Sequence, residues 1–198
     1  MSTALHRSST RLRDFDYASS GAYFVTICAA QRAHLFGEIL EGQTVLSEFG
    51  KVALECWNAI PEHFPNVFLD EFVIIPNHIH GIVCIERPTV GARHASPLRR
   101  EDEIFREAQR ELAVSKDKPT QPVRNGVSAQ SLGAIIGSFK AAVTKRARTT
   151  SSNPDLHIWQ RGYHDHVVRD DSDLERIRTY ISTNPITWHL DEYVAVAA

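Results

Sequence analysis

The chain has 198 residues, of which 42% are hydrophobic and 23% are charged, and its formal net charge is −2. This composition is typical of one globular domain, and the length is too short for two ordinary domains with linkers. No stretch is long enough for a transmembrane helix, and residues 1–17 lack the apolar core of a signal peptide. We therefore expect a cytoplasmic protein with no membrane partner. The balanced charge argues against a general nucleic-acid coat protein, which would be basic throughout.

The three cysteines, Cys28, Cys56 and Cys84, are far apart and lie in apolar segments. Their number is odd and their spacing matches no cysteine-type zinc motif. The sequence therefore predicts reduced core residues rather than disulfides.

The first part of the chain predicts an arm, a strand, a hairpin and a helix. Residues 1–20 are polar and rich in serine and arginine, which is typical of an N-terminal arm with little structure. Gly21–Cys28 is apolar along most of its length, which predicts a strand in the middle of a sheet. Residues 34–46 predict a hairpin around a Glu-Gly turn. Residues 47–60 predict a helix that Ser47 caps.

The segment 71–86, EFVIIPNHIHGIVCIE, carries the first chemical signal. Two runs rich in Val and Ile flank a Pro-Asn pair, which predicts two strands joined by a turn. Residues i and i+2 of a strand point to the same face, so His78 and His80 project together while Ile79 points into the core. Two such imidazoles form half of a metal site. Two histidines hydrogen-bonded at a strand edge explain the pattern about equally well.

A proline-rich segment then precedes a strongly amphipathic helix. Residues 88–130 combine four prolines with mixed charge, which predicts a mobile surface insertion with an exposed helix at 101–114. Residues 131–148 predict a helix with lysines and arginines toward its C-terminal end. Its predicted buried face consists of Leu132, Ile135, Ile136, Phe139 and Val143.

The last part of the chain predicts a strand and a helix. Residues 158–168 indicate one strand with a kink or bulge at Gly162. Residues 171–184 indicate a helix, with Ser172 and the glutamate three residues later as a capping box and Pro185 as the stop. The order of these elements predicts an α+β domain with a mostly antiparallel sheet.

Tyr180 and Asn184 lie four residues apart on the last predicted helix, so their side chains share one face. A half-buried tyrosine and an asparagine near a helix end are an ordinary explanation. Beside two imidazoles, the pair indicates a further chemistry. An ion held by two imidazoles and one amide oxygen keeps positions open for the oxygens of a scissile phosphate. Tyr180 is then a nucleophile that can form a covalent phosphotyrosine.

The quoted motifs resemble a known family. NHIHG after an apolar strand resembles the HUH motif (His, hydrophobic, His) of single-tyrosine DNA transposases and relaxase-like nucleases. WQRGYHDHVVRDDSDLERIRTYISTNP resembles the C-terminal part of the REP-associated tyrosine transposases, a branch related to the smallest bacterial insertion-sequence transposases. RLRDFDY, GAYFVTIC, LFGEI, PNHIHGIV and SLGAIIGSFK precede it in the same order, so the resemblance covers most of the chain outside the insertion.

The resemblance implies a ferredoxin-like α+β core and a Mg²⁺ or Mn²⁺ ion. It implies single-stranded or hairpin DNA as substrate, cleaved to a 5′-phosphotyrosine with a free 3′-hydroxyl. Carried onto this sequence, it makes His78 and His80 metal ligands and Tyr180 the nucleophile. Asn184 matches the position at which a relative uses an amide side chain as the third ligand. Related small transposases are dimers that exchange the tyrosine helix, and the REP-associated branch includes monomers, so a monomer or a homodimer is expected.

Two rivals occur within the sequence. His164 and His166 form a second His-x-His, but the residue between them is charged, which is typical of a solvent-facing or bent segment. Tyr163 is a rival nucleophile, but it lies on a predicted strand without an amide at helical spacing. We therefore favour the first histidine pair and Tyr180.

Candidate contacts to DNA are basic or polar residues near these motifs. Basic residues contact phosphates, although the helix dipole also favours a basic C-terminal helix end. The candidates are Arg11, Arg13, Lys140, Lys145, Arg146, Gln160, Arg161 and His166.

The sequence thus predicts a metal-dependent single-tyrosine DNA transposase that cleaves and rejoins single strands of palindromic repeats. One alternative is a domesticated repeat-DNA-binding protein that keeps the fold without turnover. Another is an unrelated metal-dependent phosphoesterase, which the helical spacing of Tyr180 and Asn184 disfavours.

Overall fold

The structure, a computed structural model, describes residues 15–87 and 130–188. The predicted arm up to residue 14, the insertion from 88 to 129 with its predicted helix at 101–114, and residues 189–198 lie outside the described part. The strands are β1 (Gly21–Cys28), β2 (Gly37–Leu40), β3 (Gln43–Leu46), β4 (Val67–Ile75), β5 (His78–Ile85) and β6 (His164–Val167). The α-helices are α1 (Glu48–Asn58), α2 (Ile60–His63), α3 (Leu132–Ser151) and α4 (Asp171–Thr187), and a short 3₁₀ turn spans Ala30–Arg32.

The main sheet has the strand order β4-β5-β1-β6, and every neighbouring pair is antiparallel. With α1 after β1 and α3 after β5, the core follows the β-α-β-β-α-β order of ferredoxin-like folds. The hairpin β2–β3 forms a separate two-stranded sheet. The predicted α+β class and the mostly antiparallel sheet are confirmed. The central position predicted for Gly21–Cys28 is also confirmed, because β1 pairs with a strand on each side.

The sheet separates two apolar clusters, and the alternation of side chains along each strand decides which cluster a residue joins. The larger cluster contains Val25 and Ile79 together with the apolar sides of α1 and α3. The smaller cluster joins Ile82 to Ile177 and Ile181 of α4. Helix α4 therefore covers the face of the sheet opposite to α1 and α3, and this α4 face is where the two histidines of β5 point.

Helices α1 and α3 agree with the predicted cap and buried face, whereas α4 begins and ends differently from the prediction. Ser47 caps α1 by accepting a hydrogen bond from the Gly50 amide, as predicted. The predicted face of α3 is buried, although α3 extends to Ser151. The predicted cap of α4 at Ser172 is wrong. Asp170 caps this helix instead, because its carboxylate accepts a hydrogen bond from the backbone N–H of Asp173.

Pro185 does not end α4 as predicted, because the helix continues to Thr187 with the proline inside it. A proline removes one helical hydrogen bond but not the following ones. The Thr187 hydroxyl donates to the Thr183 carbonyl at 3.2 Å, which supports this last turn. The continuation brings the Trp188 ring to the rings of His34 and His78.

The strand predicted over 158–168 is shorter than expected, and the predicted kink at Gly162 is confirmed. Trp159 forms only an isolated bridge with Ala29, and β6 begins at His164. Gly162 has a φ of +78°, which is a left-handed conformation that interrupts an extended strand. The chain therefore turns between Trp159 and β6.

Cys28, Cys56 and Cys84, which all lie in the described residues, are not joined by disulfides, as predicted. In the described ranges, no helix combines the length and apolarity that crossing a membrane requires. Residues 15–20 lie against the sheet, where Phe15 and Tyr17 pack on the larger cluster.

Candidate active site

His78 and His80 converge on the α4 face, as their spacing predicts. Their Nε2 atoms lie 2.8 Å apart, and the two rings are nearly perpendicular. Both side chains are buried, and Ile79 between them packs into the larger cluster on the opposite face. The two Nε2 atoms therefore point toward the same position.

The second nitrogen of each ring is held by an oxygen. His78 Nδ1 lies 2.7 Å from Asn77 Oδ1, and His80 Nδ1 lies 2.9 Å from Thr26 Oγ1. An amide oxygen only accepts, so His78 donates its Nδ1 proton and keeps the Nε2 lone pair in the neutral ring. A hydroxyl donates or accepts, so Thr26 serves either tautomer of His80. These oxygens fix the rings in the way that metal-ligating imidazoles are fixed.

Tyr180 of α4 places its hydroxyl 3.2 Å from His80 Nε2. The Phe24 ring stacks on His80 at 5.4 Å between centroids and meets Tyr180 edge-on at 6.1 Å. Tyr180 is 40% exposed, so the residue that carries this oriented hydroxyl is partly open to solvent. The predicted nucleophile and the predicted imidazole pair thus meet in the fold.

Asn184 lies one turn beyond Tyr180 and is buried. One further turn along α4, the Trp188 ring lies 6.0 Å from that of His78. Since residues four apart share a helix face, Asn184 faces the imidazole pair between a residue that contacts His80 and one that contacts His78. Its position agrees with the predicted amide ligand.

The second His-x-His also lies on the α4 face. In the register of β6 with β1, His164 aligns with Thr26 and His166 aligns with Phe24, whereas Asp165 points to the other side. His166 Nε2 lies 2.7 Å from Asp173 Oδ2, which links β6 to the first turn of α4. Hydrogen bonds from His166 and then Arg176 lower the pKa of Asp173 to about 2.

An ion pair sets α4 against β4. Arg178 donates through Nε and Nη2 to the two carboxylate oxygens of Asp70, at 2.8 and 2.5 Å. Burial by itself would raise the pKa of Asp70, but the hydrogen bonds from Arg178 and from the Glu71 amide lower it below its ordinary value. The hydrogen bonds to Asp70 in turn raise the pKa of Arg178 above its ordinary value. Arg178 lies two residues before Tyr180 on α4, so the ion pair anchors the part of the helix that carries Tyr180.

The predicted DNA contacts are not all brought together at this site, although His166 lies on the α4 face. Lys140, Lys145 and Arg146 lie on α3, across the sheet, and Arg146 forms an ion pair with Glu55 of α1. The backbone N–H of Gln160 donates to the Cys28 carbonyl at 2.9 Å. Cys28 is the last residue of β1 and is the partner of His78 in β5. Arg161 is exposed beside Gln160. Arg11 and Arg13 lie outside the described residues.

Four residues of the site were not found by sequence reasoning. Asn77 was predicted only as a turn residue, and Thr26 and Phe24 only as parts of a strand. A threonine inside an otherwise apolar strand was the available signal, because a buried hydroxyl needs a partner. Trp188 lies beyond the predicted end of the helix and carried no signal.

A divalent cation fits this set of donors. Within residues 15–87 and 130–188, no group of three or more His, Cys, Asp or Glu side chains is placed to hold a metal. The candidate ligands are instead two imidazole nitrogens that already converge and the amide of Asn184. With so few protein ligands, positions remain for oxygens of a substrate.

The fold and this site define a ferredoxin-like α+β domain with a tyrosine facing paired imidazoles. The structure of a REP-associated tyrosine transposase bound to a REP hairpin is similar, with a TM-score of 0.55 and 14% identity. The match covers 94% of this chain and 76% of that chain, and at this identity it shows a transposase-like fold. No model of a known protein family matches the sequence.

The chain is 39% identical over 187 residues to an uncharacterized protein of Haemophilus influenzae. The alignment covers 94% of this chain and 92% of that protein. The chain belongs to the same family as this Haemophilus influenzae protein.

Proposed function

We infer that the protein is a single-tyrosine DNA transposase that cleaves and rejoins single-stranded or hairpin DNA. The observation that carries this proposal is the Tyr180 hydroxyl, 3.2 Å from His80 Nε2, beside two imidazole nitrogens 2.8 Å apart. The similar fold of the hairpin-bound tyrosine transposase supports the same reading.

The proposed reaction is a phosphoryl transfer to the tyrosine. The Tyr180 oxygen attacks the phosphorus of one phosphodiester, its proton is released, and a phosphotyrosine bond to the 5′ side forms. The bond to the 3′ oxygen breaks, and that oxygen takes up a proton to leave as a 3′-hydroxyl. The reverse attack by a 3′-hydroxyl rejoins a strand and frees Tyr180, so the phosphodiester bond energy is conserved.

The residues around the site have different proposed roles. His78, His80 and Asn184 would hold Mg²⁺ or Mn²⁺, which supplies charge neutralisation at the phosphate oxygens. Asn77 and Thr26 keep both rings in place, and Phe24 limits the movement of Tyr180 and His80. Helix α4 brings the nucleophile to the imidazoles as one rigid piece, which is the positioning that phosphoryl transfer depends on.

The test is a covalent protein–DNA adduct on a denaturing gel, formed with a labelled single-stranded hairpin from repeats that flank the gene. Wild-type protein should form the adduct with Mg²⁺ or Mn²⁺ and lose it with a chelator. Tyr180→Phe should form none while DNA affinity stays within a few-fold, because one hydroxyl is removed. His78→Ala and His80→Ala should each abolish the adduct.

Tyr163→Phe is the matched control, since Tyr163 packs against the larger cluster and should be dispensable for the adduct. An adduct that persists in Tyr180→Phe would contradict the assignment of the nucleophile. Hairpin binding by the wild type with no adduct under either metal would instead identify a DNA-binding protein without turnover.

A further inference from the structure

The second His-x-His, to which the proposed function gives no role, places one histidine beside the candidate active site. Side chains alternate along β6 and its neighbours: Tyr163 and Val167 pack on the larger cluster, whereas Val168 packs on the smaller one. His164 therefore points to the α4 face, which also carries Tyr180 and the two histidines of β5. The residue is exposed, and β6 is the edge strand of the sheet.

His164 and His80 face each other across Thr26. In the sheet register, Thr26 of β1 aligns with His80 of β5 on one side and with His164 of β6 on the other. Neighbouring strands lie about 4.8 Å apart, so the backbones of the two histidines are about 10 Å apart. The short Thr26 side chain bonds His80, and the Tyr180 hydroxyl lies on the same side, 3.2 Å from His80 Nε2. The site is thus bordered by imidazoles on two sides.

The start of β6 is held in place by α3. The Lys140 ammonium donates to the carbonyls of Gln160 and Gly162, each at 2.8 Å. The indole N–H of Trp159 donates to the Lys140 carbonyl at 3.0 Å. These bonds fix the turn that ends two residues before His164. The histidine is therefore presented from a fixed edge of the sheet, which is the positioning that a reacting group needs.

The other histidines of β5 and β6 on this face have contacts that suit other roles. Each imidazole of β5 directs Nε2 to the proposed metal position while an oxygen holds its Nδ1. His166 bonds the carboxylate of Asp173, which also bonds the guanidinium of Arg176. His164 remains for a third role, the transfer of a proton, to which the ordinary pKa of imidazole is suited.

The proposed cleavage requires a proton at the leaving 3′-oxygen. In a phosphoryl transfer, the attacking and leaving oxygens lie roughly in line on opposite sides of phosphorus. The Tyr180 oxygen attacks from the side of His80, and β6 borders the site on the side away from His80. An imidazolium on that side is placed to protonate the oxygen that leaves.

We propose that His164 is the general acid of strand cleavage and the general base of strand joining. This proposal rests on the proposed function. In cleavage, the Tyr180 oxygen bonds phosphorus and releases its proton to water, the bond from phosphorus to the 3′-oxygen breaks, and the imidazolium gives its proton to that oxygen. In joining, neutral His164 takes the proton of the attacking 3′-hydroxyl, the phosphotyrosine bond breaks, and Tyr180 takes up a proton from water.

The test compares two single-stranded substrates that differ in one atom of the scissile phosphodiester, the bridging 3′-oxygen or a sulfur in its place. An ordinary thiol has a pKa of about 8.5, so the sulfur leaves as a thiolate without a proton donor. On the oxygen substrate, His164→Ala and His164→Gln should form the Tyr180 adduct at least about 100-fold more slowly than the wild type. On the sulfur substrate, both variants should stay within about threefold of the wild type, because no proton is needed.

His157→Ala is the matched control, because His157 is an exposed histidine in the segment between α3 and β6, and both of its rates should be normal. All rates are measured at saturating DNA with Mn²⁺. An equal loss on the two substrates in the His164 variants would overturn the proposal, because it would identify a structural or DNA-binding role. A normal rate on the oxygen substrate would overturn it as well. The proposed function fails separately, and the proposal with it, if the wild type forms no Tyr180-dependent adduct on either substrate.

Discussion

Thr26 and Asn77 decide which nitrogens of the imidazole pair are presented to the site. Each bonds the Nδ1 of one ring, so that both Nε2 atoms point to one place. Partners of this kind are as much a part of a metal site as its ligands. At the scale of single residues, the proposed reactivity therefore depends on two small polar side chains that do not themselves react.

Thr26→Val should lower the rate of adduct formation by about 10- to 100-fold, because the hydroxyl that orients His80 is replaced by a methyl group. The concentration of Mn²⁺ needed for half the maximal rate should rise at the same time. Both quantities come from adduct yields followed over time and over Mn²⁺ concentration.

Thr179→Val is the control, since that hydroxyl bonds the Glu175 carbonyl on the exposed side of α4. A normal rate and normal Mn²⁺ dependence in Thr26→Val would show that His80 is oriented without Thr26.

At Gly81, directly after the two histidines, the packing of the core leaves no room for a side chain. A Cβ atom at this position would lie 2.4 Å from Cζ2 of Trp57 and 3.1 Å from Cβ of Phe72. Trp57 is fully buried and stacks on Phe72, so neither neighbour can move without opening the core. The glycine of the NHIHG motif thus keeps β5 close to α1.

Gly81→Ala should destabilise the protein by about 1–3 kcal/mol through overpacking, as measured by urea unfolding. Gly137→Ala on α3 is the matched substitution, because within residues 15–87 and 130–188 the added methyl meets no atom within 4 Å beyond the adjacent residues and the backbone of its own helix. It should stabilise the protein by about 0.5–1 kcal/mol, since alanine is the better helix former. Destabilisations of equal size in the two variants would contradict the packing argument.

Helix α4 is held in register by two kinds of contact. Ile177 and Ile181 enter the smaller cluster, which fixes the helix face but permits sliding along the sheet. Arg178 and Asp70 add a bidentate ion pair next to the irregular pairing between Leu69 and Phe72 of β4. Directional bonds of this type set the position along the helix axis.

Arg178→Lys should reduce the rate of adduct formation by about 10- to 100-fold while hairpin affinity changes little. Lysine cannot make the bidentate bond, and displacement of a nucleophile by about 1 Å costs this much. The rate is measured at saturating DNA, and the affinity is measured separately in EDTA.

Arg176→Lys is the control, because the Arg176 side chain is 68% exposed and pairs only at the N-terminal part of α4. Equal rates in the Arg178→Lys and Arg176→Lys proteins would mean that apolar packing alone places Tyr180.

The response of the whole molecule to acid depends in part on how β6 is tied to α4. Asp173 bonds His166 and Arg176, and its side chain is only 14% exposed. The pKa of its carboxyl is lowered from 3.8 to about 2, so the folded state favours the ionised form. Its contribution to stability is complete above about pH 4 and is lost as the pH falls toward 2.

Asp173→Asn should therefore lower the free energy of unfolding near neutral pH, and the difference from the wild type should shrink between about pH 4 and pH 2. Urea unfolding at a series of pH values measures this difference. Asp155→Asn, on an exposed loop, should show a constant and small difference. A difference for Asp173→Asn that does not change with pH would rule out this carboxyl as a source of acid sensitivity.

The described fold agrees with most of what the sequence predicts, because most of the predicted elements depend on residues that are close in the sequence. The apolar run of Gly21–Cys28 and the period of α3 each depend on neighbouring residues, so β1 and the buried face of α3 were predictable. One difference lies where a distant residue intervenes. Lys140 draws the carbonyls of Gln160 and Gly162 toward α3, and this contact with the turn before β6 could not be seen in residues 158–168 alone.

The sequence by itself determined that His78 and His80 share a face and that Tyr180 and Asn184 share another, because backbone geometry fixes these periods. Only the tertiary structure decided that the two faces meet. It also decided that β1 places Thr26 beside His80 and that α4 continues through Pro185 to bring Trp188 to His78. Strand register and helix docking join residues about 100 positions apart, and no local pattern records such contacts.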